Sequence, residues 1–429
     1  MKRAALHNLG CKVNAYETEA MQELLEEGGY EIVSFHEKAD VYIINTCTVT
    51  NMADRKSRQM LHRAKKLNPD AIVVAAGCYV QAQENAGKET EGIDILIGNN
   101  KKHELLSLLE EYEKEQYAKK AVIDINHTKE YEALRLRRTA EHTRAYIKVQ
   151  DGCNQFCTYC IIPLARGRVR SRAKEDVIRE VTELAKNGYQ EVVLTGIHLS
   201  SYGVDLEEEN LLTLILAVHE VKGIERIRLG SLEPRIITET FVKTISKLPK
   251  ICPHFHLSLQ SGCNETLRRM NRRYTAEEYY EKCELLRTYF ENPALTTDVI
   301  VGFPGETEEE FLQSKAFVDK VNFYETHIFK YSKREGTKAA TMPNQVPEQV
   351  KTLRSNELLA LDEEKRTNYE LLWKDKEVSV LLEEECEVEG TLCMTGHTKE
   401  YVKIAIPKGD FKENELVSVK ISGDCQIIH

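Results

Sequence analysis

Gly152-Cys153-Asn154-Gln155-Phe156-Cys157-Thr158-Tyr159-Cys160 is the stretch from which the rest of the chain can be read. Its three cysteines stand at C-x3-C-x2-C spacing. Thiolates are soft ligands that select iron–sulfur clusters or zinc. A closed structural zinc site takes four ligands, whereas three clustered thiolates can hold three corners of a [4Fe–4S] cube. The fourth iron then stays open to a substrate or cofactor. Cysteine is rare, and its clustering at ligand spacing argues against three unrelated loop thiols. An apolar run, Ala145 to Val149, precedes the stretch, and a basic tail, Ala165-Arg166-Gly167-Arg168-Val169-Arg170-Ser171-Arg172, follows it.

Outward from that loop, 429 residues are too many for one ordinary core, so two or three domains are expected. The composition, 41% hydrophobic and 30% charged, is that of a soluble globular protein. No apolar run approaches the ~20 residues that span a bilayer, and the start has no signal-peptide core. The expectation is a cytoplasmic protein without a membrane partner. Twelve cysteines in a reducing compartment argue for metal or catalysis rather than disulfides. Net charge of −10 argues weakly against nucleic acid, but the charge is segregated. Arg55 to Lys66 and Leu267 to Tyr274 contain bases and no acid, while acids gather in Glu207-Glu208-Glu209 and Glu383-Glu384-Glu385.

The first segment reads as alternating strand and helix: strands Arg3 to Leu9, Val41 to Thr46 and Ala71 to Ala76, helices Thr18 to Gly28 and Met52 to Leu67. This grammar implies a parallel sheet covered on both faces, a three-layer α/β domain. Cys11 follows the first strand, Cys47 ends the second and Cys78 ends the third. Parallel sheets place ligands just past their strand C-termini. Three cysteines distant in sequence should therefore converge as a second three-thiolate site. A single buried strand-end cysteine would read as a small hydrophobe. Three at equivalent places read as a metal site.

The spacing of the first triad, with aromatic Tyr159 before the third cysteine, resembles the radical S-adenosylmethionine superfamily. The flanking Gly152-Cys153-Asn154 and Ile162-Pro163-Leu164-Ala165-Arg166-Gly167 narrow the resemblance to its methylthiotransferase branch. So do Leu9-Gly10-Cys11-Lys12-Val13-Asn14, Asn45-Thr46-Cys47-Thr48-Val49-Thr50 and Ala76-Gly77-Cys78-Tyr79. The resemblance implies two [4Fe–4S] clusters: one on Cys153, Cys157 and Cys160, the other on Cys11, Cys47 and Cys78. It implies that the open iron of the first chelates S-adenosylmethionine and that one electron cleaves this cofactor to a 5′-deoxyadenosyl radical. The second cluster is thought to hold the sulfur to be transferred.

The middle segment reads as six strand–helix repeats, with strands at Ala145 to Val149, Glu191 to Thr195, Arg226 to Leu229, Phe255 to Leu259, Thr297 to Val301 and Thr326 to Lys330. Six units fall short of a closed eightfold barrel, which matches the open partial (β/α)6 barrel of the resembled superfamily. Resemblance suggests that Tyr159, Gly196, Glu233, Gln260, Arg273 and Asp298 surround S-adenosylmethionine, Arg273 pairing with its carboxylate. Thr307 in Gly305-Glu306-Thr307-Glu308-Glu309-Glu310 reads as a helix N-cap with a capping box. Five short strands after Trp373 suggest a small antiparallel β-barrel, OB-like, resembling the RNA-binding TRAM module. There Lys399, Tyr401 and Lys403 are candidates for phosphate or base contact. The implied domains are 1–112, binding the second cluster, a linker at 113–138, the radical core at 139–370 and the TRAM-like module at 371–429.

The whole resembles a tRNA methylthiotransferase. It implies tRNA, bound at the anticodon stem-loop, as partner, together with an electron donor such as flavodoxin or ferredoxin and a sulfur donor. Relatives modify threonylcarbamoyladenosine or isopentenyladenosine at tRNA position 37, or a ribosomal-protein aspartate. Gly10-Cys11-Lys12-Val13-Asn14 and the arginine-rich tail resemble the threonylcarbamoyladenosine branch. A base-rich mouth suits the added carboxylate, so one of Arg166, Arg168 and Arg170 is expected to contact that carboxylate or tRNA phosphate. The alternatives are the same chemistry on isopentenyladenosine, an iron–sulfur RNA-binding protein without catalysis, and a zinc module.

Overall fold

The computed structural model describes residues 1–88, 92–138 and 143–428. The chain begins with a six-stranded sheet, in spatial order Glu31–Ile32, Arg3–Asn8, Val41–Thr46, Ile72–Gly77, Ile95–Ile97 and Lys119–Ala121. Every pairing in it is parallel. Val41, Tyr42, Ile43 and Ile44 are all fully buried, because helices cover both faces. Met21, Leu25, Leu105 and Leu109 pack on one face, and Leu61 and Ala64 on the other. Burial of such side chains contributes about 1.5–3 kcal/mol each.

The structure departs from the sequence reading here, first in adding the short strands Glu31–Ile32 and Ile95–Ile97, which that reading did not contain. The first helix spans Lys12–Glu27, not Thr18 to Gly28, because Tyr16 and Ala20 form a further buried stripe against Leu134 and Leu136. The sheet also takes in Lys119–Ala121, from the stretch read as a connection. A lysine-rich edge strand hides its identity in sequence. Residues beyond it are tied down: the Tyr131 hydroxyl donates to the Lys148 carbonyl at 2.7 Å, and buried Glu132 accepts from the His103 backbone N–H at 3.2 Å. The boundary expected at 138/139 falls against residues 139–142, which lie outside the described residues.

Six parallel strands then curve around a lumen: Ala145–Asp151, Glu191–Gly196, Arg226–Leu229, His254–His256, Ala294–Val301 and Glu325–Lys330. The ladder is interrupted after Arg226–Leu229, where the single pairs Ile227–Ile251 and Leu232–Leu257 carry it across. The result is the open partial barrel that six units imply. Phe255, Leu257, Leu295 and Val299 face the surrounding helices. Strand alternation therefore turns His254, His256, Thr296 and Asp298 toward the lumen. Thr307 caps the helix Glu308–Val321 with the expected capping box to Glu310.

The helix Glu348–Leu371 leads into a five-stranded antiparallel sheet, ordered Leu416–Lys420, Glu377–Val388, Thr391–Thr398, Lys403–Pro407 and Gln426–Ile427. The strand count is as expected; the first turn is not. Glu389 and Gly390 both take positive φ, +49° and +80°, as a two-residue hairpin turn demands. Glutamate there gives no turn signal.

This sheet closes the barrel at the strand N-termini. Arg226 donates to the carbonyls of His397 (2.9 Å) and Ser379 (2.7 Å), and Arg228 to that of Lys399 (2.8 Å). Tyr401 stacks between His254 and His397, at 4.9 and 4.4 Å. Lys399 and Tyr401, read as candidate RNA contacts, are thus committed to holding the two units together. Among the described residues no helix is long and apolar enough to cross a membrane.

Candidate active site

The loop after Ala145–Asp151 turns sharply at Gly152, whose φ is +69°. A Cβ there would stand 1.8 Å from the Arg168 carbonyl oxygen, so only glycine fits. Cys153 N–H then donates to the Gly167 carbonyl at 3.0 Å, clamping the loop against the basic tail. Thr158 ties the loop to the opposite wall, its N–H donating to Met270 at 3.0 Å and its hydroxyl to Arg269 at 2.8 Å. Burial, then the neighbouring Cys157, pushes the Cys160 thiol up to about 12. Burial and Cys157 likewise push Cys153 up to about 11. Arg272 Nη1 lies 3.3 Å from Cys157 Sγ.

The second triad assembles at the edge of the first sheet. Cys11 and Cys78 open helices that follow strands, and Cys47 ends a strand. Gly10, at φ +117°, presses against Cys47: a Cβ on it would stand 3.2 Å from Cys47 Sγ. Burial and then Cys78 push Cys47 up to about 11, and burial also raises Cys11. All of these thiols are free. Two groups of neighbouring cysteines, Cys47 and Cys78 buried and Cys153, Cys157 and Cys160 half-buried, fit a multivalent metal centre, which takes up the negative charge of their thiolates. Three thiolates each fit an iron–sulfur cube with one open iron better than a structural zinc site, which takes four ligands.

One arginine runs from the first triad's loop to the second triad. Arg166 ends the short helix Ile162–Arg166, immediately after the first triad, and is fully buried. Its Nε donates to Cys78 Sγ at 3.2 Å and its Nη2 to Asn14 Oδ1 at 2.7 Å. Its Nη1 reaches Glu17 at 2.8 Å and Asp151 at 3.1 Å. Lys148 bridges the same two acids, at 2.7 Å each. Burial pushes the Glu17 carboxyl up, but Arg166, Lys102 and Lys148 outweigh it and hold the group well below the usual carboxylate range. Buried Lys102, Lys148, Arg166 and Arg170 face buried Glu17, Asp151 and Glu132, leaving one cation in excess beside Cys78. Anionic thiolate ligation offsets that excess.

The expected substrate-binding arginines therefore divide. Arg166 and Arg170 do not reach solvent; Arg170 Nη1 is spent on the carbonyls of Arg166 and Arg168, at 3.0 Å each. A base-rich string cannot reveal that its alternate members fold inward onto acids from another element. Arg168 is exposed, 4.5 Å from the ring of Phe156, which is itself 44% exposed and has φ +52°. Asn271 Nδ2 holds that strained loop by donating to the Phe156 carbonyl at 3.0 Å. Lys403 is half-buried, 3.4 Å from Glu384.

The expected cofactor residues also divide. Tyr159 packs beside the triad, edge-on to Phe303 at 6.4 Å. Gly196 is glycine because Gln150 comes close: a Cβ would stand 2.8 Å from its Oε1. Glu233 is buried and accepts from Arg235 at 2.6 Å. Gln260 takes φ +72° and donates its backbone N–H to the Asp298 carbonyl at 2.8 Å. Asp298 itself lies 3.3 Å from His256 Nε2, with His327 close by. Arg273 is exposed and turned from the triad, where Arg272 stands in its place. The structure adds His198, which no motif in the sequence marks. Its Nδ1 pairs with Ser201 at 2.7 Å, its Nε2 is buried without a partner, and burial, Arg272 and Arg235 push it down to about 4.

Residues 147–318 match the Radical SAM superfamily, and residues 3–98 match a family described as "Uncharacterized protein family UPF0004". The chain is 41% identical to the threonylcarbamoyladenosine tRNA methylthiotransferase MtaB of Bacillus subtilis, over 98% of this chain and 94% of that one. It is 43% identical to the Aquifex aeolicus protein of the same name, over 89% and 93%. A tRNA-2-methylthio-N(6)-dimethylallyladenosine synthase of Moorella thermoacetica is 38% identical, over 96% and 94%. In fold alone, the chain resembles the radical S-adenosylmethionine methyltransferase TsrM of Kitasatospora setae, with a TM-score of 0.56 at 16% identity, over 77% of this chain and 73% of that one. A radical core over the first triad, joined to the cysteine-bearing sheet of the second, places this chain in the radical S-adenosylmethionine methylthiotransferase family.

Proposed function

We propose that this chain attaches a methylthio group to C2 of N6-threonylcarbamoyladenosine at position 37 of tRNA. The observation that carries the reading is Arg166, which follows the first triad in the chain and, from a fully buried side chain, donates to Cys78 of the second and to Asp151 at the end of the strand that leads into the first. Similarity to two MtaB proteins supports the substrate. The first triad would hold one [4Fe–4S] cluster with S-adenosylmethionine and the second triad another. When bound, these groups supply the one-electron chemistry that an aromatic C–H bond requires, since neither acid nor base removes that proton at neutral pH.

The chain's own residues supply binding, orientation and shielding. Cys153, Cys157 and Cys160 ligate at the lumen's rim. Tyr159, Gly196, Glu233, Gln260 and Asp298 line the cofactor's side, with Arg272 rather than Arg273 as its nearby cation. Cys11, Cys47 and Cys78 would hold the second cluster, with the Arg166 guanidinium beside Cys78. Arg168 on Phe156 forms a cationic, aromatic ledge at the mouth, suited to stack a nucleotide beside the flipped base. The domain at 1–112 would carry the sulfur, the connection at 113–138 would fasten it to the core at 139–370, and 371–429 would be the TRAM-like RNA-binding module, with Lys403 toward the phosphates. An electron donor such as flavodoxin or ferredoxin, and a sulfur donor, complete the system.

The Moorella relative favours a second reading, the same reaction on isopentenyladenosine. The lumen's histidines, arginines and Asp298 suit a polar adduct better than an isopentenyl chain. Trideuteromethyl-labelled S-adenosylmethionine tests the reaction. The expected outcome is labelled product with one S-adenosylhomocysteine and one 5′-deoxyadenosine per modified base. Product without label would overturn the two-donor reading.

A further inference from the structure

Cys78 Sγ is where two buried donors meet. Arg166 Nε stands 3.2 Å from it and Asn99 Nδ2 3.5 Å. Cys78 is 3% exposed, and Asn99 and Arg166 are fully buried, so bulk solvent screens neither contact. Each donor is also held in place. Arg166 is fixed by Glu17, Asp151 and Asn14. Asn99 Nδ2 donates to the Ala165 carbonyl at 2.7 Å as well, and its Oδ1 accepts from Lys102 Nζ at 2.8 Å. The Lys102 ammonium therefore polarises the amide whose N–H side faces the sulfur.

Hydrogen bonds from charged or polarised donors are strongest to an anion, so this pair is matched to Cys78 as a thiolate. The surrounding ions carry the same sign. Buried Lys102, Lys148, Arg166 and Arg170 outnumber buried Glu17, Asp151 and Glu132. Glu17 alone faces three of these cations: Lys102 at 3.2 Å, Lys148 at 2.7 Å and Arg166 at 2.8 Å. It offsets much of the positive field that Arg166 brings to the sulfur. An iron–sulfur centre gains one negative charge when it takes up one electron, and its potential follows the hydrogen bonds to its sulfurs and the net charge around it. Within this network a cation and an acid must then shift that potential in opposite directions.

We propose that Arg166 acts through Cys78 as a positioning residue, favouring the reduced form of the centre held by Cys11, Cys47 and Cys78, with Glu17 as the counterweight that limits the effect. This rests on the second cluster of the reading given under Proposed function. It adds that the joint between the helix Lys12–Glu27, which carries Glu17, and the short helix Ile162–Arg166 also sets how readily that centre accepts an electron.

The test is a dithionite titration with redox mediators, read by electron paramagnetic resonance of the reduced cluster. It uses cluster-loaded full-length protein carrying Cys157→Ala, so that only the second centre is present. In that background Arg166→Gln should lower the midpoint potential by about 59 mV or more, a tenfold loss in the reduction equilibrium. Arg166→Lys should recover most of it. Glu17→Gln should raise the potential, and the double variant should fall between the two singles, near the parent. If Arg166→Gln takes up no iron and sulfide, Asn99→Ala decides together with Glu17→Gln: it removes the second donor, leaves Arg166 and its acids in place, and should lower the potential. A merely structural arginine would change iron and sulfide content without moving the midpoint. Unchanged midpoints, or shifts of the cation and acid variants in the same direction, would overturn the inference. Cys157→Ala protein holding no iron–sulfur centre would instead overturn the two-cluster reading on which it rests.

Discussion

At the scale of single residues, the two triads should come apart experimentally. Cys47→Ala should remove about half of the iron and sulfide yet leave reductive cleavage of S-adenosylmethionine intact. Cys157→Ala should abolish cleavage and spare the other cluster. Iron and sulfide analysis with 5′-deoxyadenosine detection reads both outcomes; parallel loss from either substitution would mean a single shared centre. Arg166→Met should cost about 3–5 kcal/mol in denaturant unfolding, because Glu17 and Asp151 stay buried with too little compensation. Were Arg166 a tRNA contact instead, stability would hold and only affinity would fall. The two cysteine triads are legible in sequence because the first one's spacing is local and the second one's follows strand ends. Arg166 is not, since inward packing onto Glu17 joins residues far apart along the chain. Nor does the sequence separate Arg272 from Arg273, because one residue of register decides which side chain enters the lumen.

At the scale of elements, the junction between the first helix and the barrel is an acid-sensitive joint. The Glu17 carboxyl is depressed in the folded state, so its contribution is fully present above the unfolded value near 4.3 and is lost as pH falls toward the folded value. Glu17→Gln should flatten the pH dependence of stability on that acid side and lower stability at neutral pH. A curve for Glu17→Gln that parallels wild type below pH 5 would count against this joint. At the barrel's other end, Tyr401 is sandwiched by two histidines with Arg144 and Arg228 over its ring, at 4.8 and 4.9 Å. Tyr401→Ala should cost about 3 kcal/mol and open the segment around Trp373 to limited proteolysis. The main parallel strands are readable along the chain because they are continuous apolar runs, whereas their spatial order and the start of the first helix are not. Lys119–Ala121 is not, because its lysines mask an edge strand, and neither is the Glu389-Gly390 turn.

At the scale of the whole molecule, the acidic chain should still bind tRNA electrostatically. The helix Asn51–Leu67 presents exposed Arg55, Lys56 and Arg58. Replacing all three with Ala should shallow the salt dependence of tRNA affinity, by about 0.7–0.9 in logarithmic slope for each phosphate that the helix no longer neutralises. An unchanged slope would place the RNA elsewhere. The three-unit architecture is legible from its alternating patterns, but the way the units fasten together is not. Arg226, Arg228, Tyr401 and Arg166 make those joints, and the sequence marks none of them as one: Arg166 and Tyr401 read there as candidate substrate or RNA contacts, and Arg226 and Arg228 only as strand residues. The central claim is tested most directly by nucleoside mass spectrometry of a competition. Cluster-loaded protein, reductant, a sulfide source and S-adenosylmethionine meet equal amounts of tRNA carrying threonylcarbamoyladenosine and tRNA carrying isopentenyladenosine. A methylthio mass gain on threonylcarbamoyladenosine, with isopentenyladenosine untouched, is the predicted result. A gain on isopentenyladenosine instead, or on neither while 5′-deoxyadenosine accumulates, would contradict it.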